Sequence, residues 1–149
     1  MAESTKIKKS IYLADDDEDD RMLFIEAVLE IDRSINVTEA KDGQQLMDIL
    51  KLHSPNFPEI IFLDINMPGK GGFECLQEIR NSNTNFKNVN IIMLSTSSSS
   101  LSVSRAFELG ASFYAVKPST FDGLKALIKK TLEMDLISVE QNSGKVLMA

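Results

Sequence analysis

The chain has 149 residues, 43% of them hydrophobic, which is enough for one domain with a sizeable core and too short for two ordinary ones. Its 22 acidic against 16 basic residues give a formal charge of -6, which argues against a binder of nucleic-acid backbone with the basic stripe that role needs. A single cysteine, Cys75, excludes a disulfide framework within the chain, and its apolar neighbours Phe73, Leu76 and Ile79 at helical spacing mark a buried thiol rather than a redox centre or metal ligand.

Residues 1–6 read as a polar, lysine-containing arm without the apolar run of a signal peptide, and no later stretch approaches the ~20 apolar residues of a membrane span. A cytoplasmic protein without membrane contact is expected. A short buried strand is predicted over 11–14 and a helix over 19–31, where Phe24, Ala27, Val28 and Ile31 recur with helical period. A β-branched strand over 35–40 and the turn Lys41-Asp42-Gly43 lead to a helix from 44 to about 53, carrying Leu46, Met47, Ile49 and Leu50 and stopped by Pro55 and Pro58. The apolar run 60–63 has the character of a central parallel strand, and the glycine-rich loop 69–72 opens a helix over 73–81. Then come a strand over 89–94, a serine run, a helix over 103–109, a strand over 112–116 and a helix over 121–132. Five rounds of strand then helix predict an α/β fold, a doubly wound parallel sheet with helices on both faces. Residues 135–149 lose the period and read as a flexible tail, which leaves one domain over 7–134.

In such a sheet the carboxyl ends of the strands share one edge, so residues distant in sequence meet at a single crevice. Asp15 and Asp16 follow the first strand, Asp64 the third, Ser95-Thr96 the fourth and Lys117-Pro118 the fifth. Each has an ordinary explanation. Asp64 suits a turn before Pro68-Gly69, the run Asp15 to Asp20 suits helix capping and dipole complementarity, and Lys117 suits a strand end. For Asp17, Glu18, Asp19 and Asp20 the capping explanation is accepted. A calcium loop starting at Asp15 fails because its sixth position is Asp20 rather than glycine and a strand, not a helix, precedes it. The conjunction at four strand ends is what carries weight: carboxylates and one lysine form a site for a divalent cation and a phosphoryl group. His53, the sole histidine, lies at a predicted helix end and reads as a solvated residue; Gly69-Lys70-Gly71-Gly72 lacks the spacing of a Walker A loop.

The motifs Leu13-Ala14-Asp15-Asp16, Phe62-Leu63-Asp64-Ile65-Asn66-Met67-Pro68, Leu94-Ser95-Thr96 and Gly110 to Pro118 closely resemble those of the receiver domain of two-component response regulators, particularly stand-alone ones such as the chemotaxis and phytochrome-associated regulators. The resemblance spans about residues 7–132. It implies a flavodoxin-like five-stranded sheet in the order 2-1-3-4-5. It also implies that Asp64 is the phosphoacceptor, Asp15 and Asp16 the acidic pair, Ser95 the switch hydroxyl, Tyr114 the switch aromatic and Lys117 the lysine of the site. Gly71 stands where many members carry an aspartate, which weakens the cap of the third helix, and Ser119 replaces a frequent apolar residue.

Physical chemistry gives these roles a reason. An ionised aspartate needs no general base to attack phosphorus, but it does need charge neutralisation. Mg²⁺ held by Asp16, Asp64 and the Asn66 backbone carbonyl, with waters and with Asp15 orienting one of them, meets the demand for hard oxygen ligands. Lys117 would supply fixed positive charge to the phosphoryl oxygens and Ser95 a hydrogen bond. The expected function is therefore phosphorelay signalling by a stand-alone receiver: phosphate is taken from a sensor histidine kinase or histidine phosphotransfer protein and slowly hydrolysed, by a protein that is not otherwise a dedicated enzyme. With no effector domain expected to follow, output should pass to a downstream protein or a homodimer through the fourth helix, fifth strand and fifth helix. Arg105, Glu108, Lys125 and Lys129 are the exposed candidates there, and Tyr114 is expected to turn inward when Ser95 moves toward the phosphoryl group. The alternatives are a constitutive, unphosphorylated docking module of the same fold and an aspartate-nucleophile phosphatase. The latter wants Asp-x-Asp, and here the sequence is Asp64-Ile65-Asn66.

Overall fold

A computed structural model describes residues 10–52, 58–134 and the backbone of 146–147. The expectations for the arm 1–6, for His53 and Pro55, and for residues 135–145 of the tail lie outside the described residues. The chain alternates β1 (Ser10–Ala14), α1 (Glu18–Ile31), β2 (Asn36–Ala40), α2 (Gly43–Leu52), β3 (Ile60–Asp64), α3 (Gly72–Arg80), β4 (Asn90–Ser95), α4 (Ser100–Glu108), β5 (Phe113–Val116) and α5 (Phe121–Glu133), followed by β6 (Val146–Leu147). All strand pairs are parallel, and the order is β2-β1-β3-β4-β5-β6. The expected five-stranded order is therefore present, with one short strand added beyond β5.

Side-chain alternation along the strands divides the core in two. Tyr12, Ala14, Ile61, Leu63, Ile91, Met93 and Tyr114 pack on one face against Leu46, Met47 and Leu50 of α2, Cys75, Leu76 and Ile79 of α3, and Ala106 of α4. Ile11, Leu13, Ile60, Phe62, Ile92, Leu94, Phe113 and Ala115 point the other way, onto Phe24, Ala27 and Val28 of α1 and Leu127 and Ile128 of α5. This two-sided burial is why β1, β3 and β4 are continuous apolar runs rather than alternating ones. Phe24 of α1 meets Phe62 of β3 edge to face with ring centroids 4.9 Å apart.

Two departures from the sequence reading have local causes. Helix α4 starts at Ser100, ahead of its first apolar residues, because the Ser99 hydroxyl caps it by accepting from the Ser102 N–H at 3.2 Å. At the other end of the chain, Val146 and Leu147 pair with Tyr114 and Ala115. A periodicity test cannot detect a two-residue strand, yet β5 would otherwise offer an unpaired row of backbone groups, and a β-branched and an apolar residue suit that edge.

The amino end of the sheet is held by Arg80, the last residue of α3. Its Nε donates to the Gly110 carbonyl at 2.8 Å, Nη1 to the carbonyls of Lys87 and Val89 at 2.9 and 2.6 Å, and Nη2 to the Ser112 hydroxyl at 3.3 Å. One planar cation thus ties α3 to the approaches of β4 and β5. Gly110 has φ +104, and a Cβ there would sit 3.0 Å from Arg80 Cγ, so both its conformation and its space require glycine. Arg80→Ala should therefore lower stability in denaturant titration by roughly 2–4 kcal/mol, since several carbonyls lose a charged donor at once, and Arg80→Lys should recover little of it.

Candidate functional site

The carboxyl edge gathers the residues singled out in the sequence. Asp64 is the last residue of β3, and it is buried with only 7% exposure. Asp15, equally enclosed, follows β1, where its N–H still continues the ladder to the Ala40 carbonyl at 3.1 Å. Lys117 follows β5 in the same way, donating its N–H to the Ser95 carbonyl at 2.8 Å. Because the backbone ladders run on past the named strands, these side chains are fixed by sheet geometry rather than by free loops. Gly72, which opens α3, packs so closely that a Cβ would lie 2.3 Å from the Asp64 carbonyl oxygen. Absence of a side chain there lets the loop after β3 fold tightly back on Asp64.

Lys117 is the hub. Its ammonium lies 2.9 Å from Asp15 Oδ2, 3.3 Å from Asp20 Oδ2 and 3.5 Å from Asp64 Oδ2. Asp15 uses its other oxygen to accept the Asp17 N–H at 3.0 Å. Carboxylate oxygens of Asp15, Asp16 and Asp64 all fall within 4.8 Å of one another, with Asp16 exposed at the mouth. Asn66 is exposed just beyond β3, and its backbone N–H bonds the Asp64 carboxylate.

Electrostatics follow from this crowding. Burial pushes the Asp64 carboxyl up to about 6; Lys117 pulls it down, the charge of Asp15 and a hydrogen bond to it push it up again, and the Asn66 N–H opposes them. Burial alone would lower Lys117, but the hydrogen bond and charge of Asp15, then the charges of Asp64 and Asp20, more than offset it and hold the ammonium above its ordinary range. The donor set for a cation is entirely carboxylate oxygen, partly enclosed and open on one side. That fits a small hard divalent ion which keeps several waters, and it does not fit a soft or nitrogen-seeking metal.

The remaining expected residues are placed as follows. Ser95 ends β4 and is buried, its hydroxyl accepting the Ser97 N–H at 3.0 Å. Tyr114 stands one strand over and is already fully inward, its hydroxyl donating to the Ser97 carbonyl at 2.7 Å. Arg105, Glu108 and Lys129 are exposed, but Lys125 is half-buried and pairs with Glu30 of α1 at 3.1 Å. Lys125 therefore serves the α1–α5 contact rather than the outer face expected for it. Gly71 provides no capping side chain for α3; instead its N–H donates to Glu74 Oε1 at 3.1 Å. The Cys75 thiol is fully buried, donates to the Gly43 carbonyl at 3.5 Å and is pushed up to about 12 chiefly by burial, which makes it inert.

Two contributors escaped the sequence reading. Asp17 is the helix cap expected, accepting the Asp20 N–H at 3.1 Å, but the Asp20 carboxylate itself reaches Lys117. Arg21 donates to the Asp15 carbonyl at 2.8 Å and to Glu39 Oε1 at 2.9 Å, which ties α1 to the ends of β1 and β2. A signal was present: side chains of a helix lean toward its N-terminus, so residues in the first turn of α1 lean over the sheet edge.

The family model of the response regulator receiver domain matches residues 11–129, and the chain belongs to this family of two-component signalling proteins. "Probable chemotaxis protein CheY" of Rhizobium etli is 33% identical over 129 residues, covering 87% of this chain and 95% of that one. The phosphorylated cyanobacterial phytochrome response regulator RcpA has a similar crystal structure, with TM-score 0.78 and 27% identity over 85% of this chain and 93% of that one. The Mn²⁺-bound form of response regulator Rcp1 gives TM-score 0.75 at 26% identity, covering 85% and 96%. Receiver domains take phosphoryl groups from histidine kinases and bind Mg²⁺ at an acidic pocket. No described helix is long and apolar enough to cross a membrane.

The raised pKa of Asp64 sets a pH dependence in metal-free buffer. The folded protein holds this proton up to about pH 6, whereas an unfolded aspartate releases it near 3.8, so between those values the folded state binds more protons. Stability therefore falls as pH rises through that window. Discounted for solvent screening, the loss should be about 1–2 kcal/mol between pH 4 and 7 relative to Asp64→Asn, as read by denaturant unfolding of the two proteins at each pH.

Proposed function

We propose that this receiver accepts a phosphoryl group on Asp64 from the phosphohistidine of a kinase or phosphotransfer protein, and signals through the surface around α4 and β5. The observation that carries the reading is the buried Asp64 carboxylate held within reach of a single ammonium, beside two further carboxylates at one sheet edge. An Asp64 carboxylate oxygen forms the new bond to phosphorus as the P–N bond to the imidazole breaks, and the imidazole takes up a proton as it leaves. Lys117 stays charged throughout and faces the side on which phosphoryl oxygens collect negative charge. Ser95, one strand away, accepts the Ser97 N–H with its oxygen, which leaves its own O–H to donate to a phosphoryl oxygen.

Asp16, Asp64 and the Asn66 backbone carbonyl are the ligands assigned to Mg²⁺, with Asp15 holding a water of its shell. Bound there, the ion would neutralise charge between acceptor and donor oxygens. The Mn²⁺-bound relative supports this choice of ion class. Tyr114 couples the site to α4: its ring lies in the core face shared with Ala106, and its hydroxyl holds the Ser97 carbonyl in the loop that follows Ser95. Because the ring is already inward, phosphorylation would act on a contact there through the Ser95–Ser97–Tyr114 bonds rather than through an inward turn of the ring, whether the contact is made by a downstream protein or by a second copy. The edge of β5 is lined by β6, so such a contact would draw on the exposed face of α4, with Arg105 and Glu108, rather than on β5 backbone.

Incubation with a small phosphodonor and Mg²⁺ should add one phosphoryl mass to the intact protein, base-labile and lost in Asp64→Asn. An undiminished adduct in that variant would place the nucleophile elsewhere, and the absence of any adduct in the wild type would favour the unphosphorylated docking module. Tyr114→Ala should leave the adduct intact while loosening the dependence of partner or self-association on phosphorylation, measured by comparing the association of phosphorylated and unphosphorylated protein.

A further inference from the structure

Asp20 has no role in the acceptor scheme above, yet it is the third carboxylate on Lys117. Its Oδ2 is 3.3 Å from the ammonium, slightly nearer than Asp64 Oδ2 at 3.5 Å. It is not the cap of α1, a task done by Asp17. Nor is it an enclosed structural charge, because its side chain is 47% exposed where that of Lys117 is 17%. Together with Asp15, Lys117 and Thr96 it lines a cavity of about 240 Å³ whose other walls include Phe24 and Phe121. Asp20 is thus a negative charge at the solvent side of the Lys117 ammonium, the cation that bonds the Asp64 carboxylate.

From this we infer that Asp20 is a positioning residue that acts through Lys117 and restrains phosphorylation. It does so in two ways with one sign. Its charge repels the anionic donor, and its ion pair holds part of the ammonium's field away from Asp64 and the oxygens arriving there. Asp15, nearer at 2.9 Å and buried, keeps Lys117 in place when Asp20 is neutralised, so the site retains its geometry. The inference rests on Asp64 being the acceptor, and is separable from it.

The test is the rate at which the full chain, with Mg²⁺, gains phosphoryl mass from acetyl phosphate and from phosphoramidate, for wild type, Asp20→Asn and Asp20→Glu. Asp20→Asn should raise the second-order rate constant with acetyl phosphate by roughly three- to tenfold, the effect of one partly screened charge near the reacting group. The gain should be smaller with phosphoramidate, which carries less negative charge at neutral pH, and should shrink in about 1 M salt, where the Debye length is near 3 Å. Asp20→Glu should stay within about twofold of wild type, since it restores the charge. A structural role would show neither the donor-charge dependence nor the salt dependence. An equal or slower rate in Asp20→Asn, or a gain indifferent to salt and donor charge, overturns the inference while leaving Asp64 as acceptor. No adduct in the wild type overturns the acceptor reading and this one with it.

Discussion

The ammonium of Lys117 is the constraint on which the carboxyl edge depends. It links the end of β5 to the end of β1 through Asp15, to the first turn of α1 through Asp20 and to the end of β3 through Asp64. Without it, two carboxylates that are almost fully buried would face each other with no compensating charge, a situation that low-dielectric surroundings make expensive. With it, the edge still has more carboxylate than ammonium, since Asp15, Asp20 and Asp64 share one lysine and Asp16 lies beside Asp15 and Asp64. Burial above all, and then the neighbouring charge of Asp15, raise the Asp64 carboxyl against the pull of Lys117. The edge therefore attracts a cation, and the arrival of a phosphoryl group without one would be opposed by the same charges.

How much of this could be read from the sequence depends on what kind of information each feature uses. The parallel, doubly wound sheet was legible because buried strands such as Ile60–Asp64 are short apolar runs between helical periods, whereas the order of its strands came from the receiver-domain resemblance. Asp15, Asp64, Ser95 and Lys117 were legible because each is polar directly after such a run, where burial would otherwise be costly. Asp20 and Arg21 were passed over because an acidic and a basic residue in a first helical turn have a sufficient local explanation, although first-turn side chains lean toward the sheet edge. Lys125 was misplaced for a related reason: helical spacing says which residues share a stripe, but the Glu30 partner that turns it toward α1 lies on another element. Strand β6 is below the length at which periodicity has meaning.

Tyr114 connects the chemistry of the edge to the packing below it. A fully buried tyrosine needs a partner for its hydroxyl, and the Ser97 carbonyl is that partner, two residues beyond Ser95 on the same loop. Ser97 is thus bonded on both sides, its N–H to the Ser95 hydroxyl and its carbonyl to Tyr114. A change at Ser95 cannot leave Ser97 unaffected, and a change at Ser97 is felt by a ring packed in the α2–α3–α4 face of the core. The loop between β4 and α4 is serine-rich for a physical reason: Ser95, Ser97 and Ser99 each accept a backbone N–H two or three residues on, which gives the loop local bonds that can be exchanged one at a time.

Two partly buried cations hold the two ends of the sheet, and their partners differ in kind. Arg80, at the amino end, is bonded to three backbone carbonyls and a hydroxyl. None of those acceptors titrates or is consumed by chemistry, so that end has one arrangement at every pH at which the protein is folded. The Lys117 side chain, at the carboxyl end, is bonded to carboxylates, groups that can change charge by gaining a proton or binding a cation, and one of them, Asp64, is the proposed acceptor. Arg suits the first place because its rigid fork satisfies several fixed carbonyls, and Lys the second because a compact charge on a flexible stem can follow a partner that changes. Strand register links the ends, so a fixed amino end gives the carboxyl end a frame against which small shifts of Lys117, Ser95 and Tyr114 have direction. A receiver needs both properties at once, and the sheet separates them by the length of a strand.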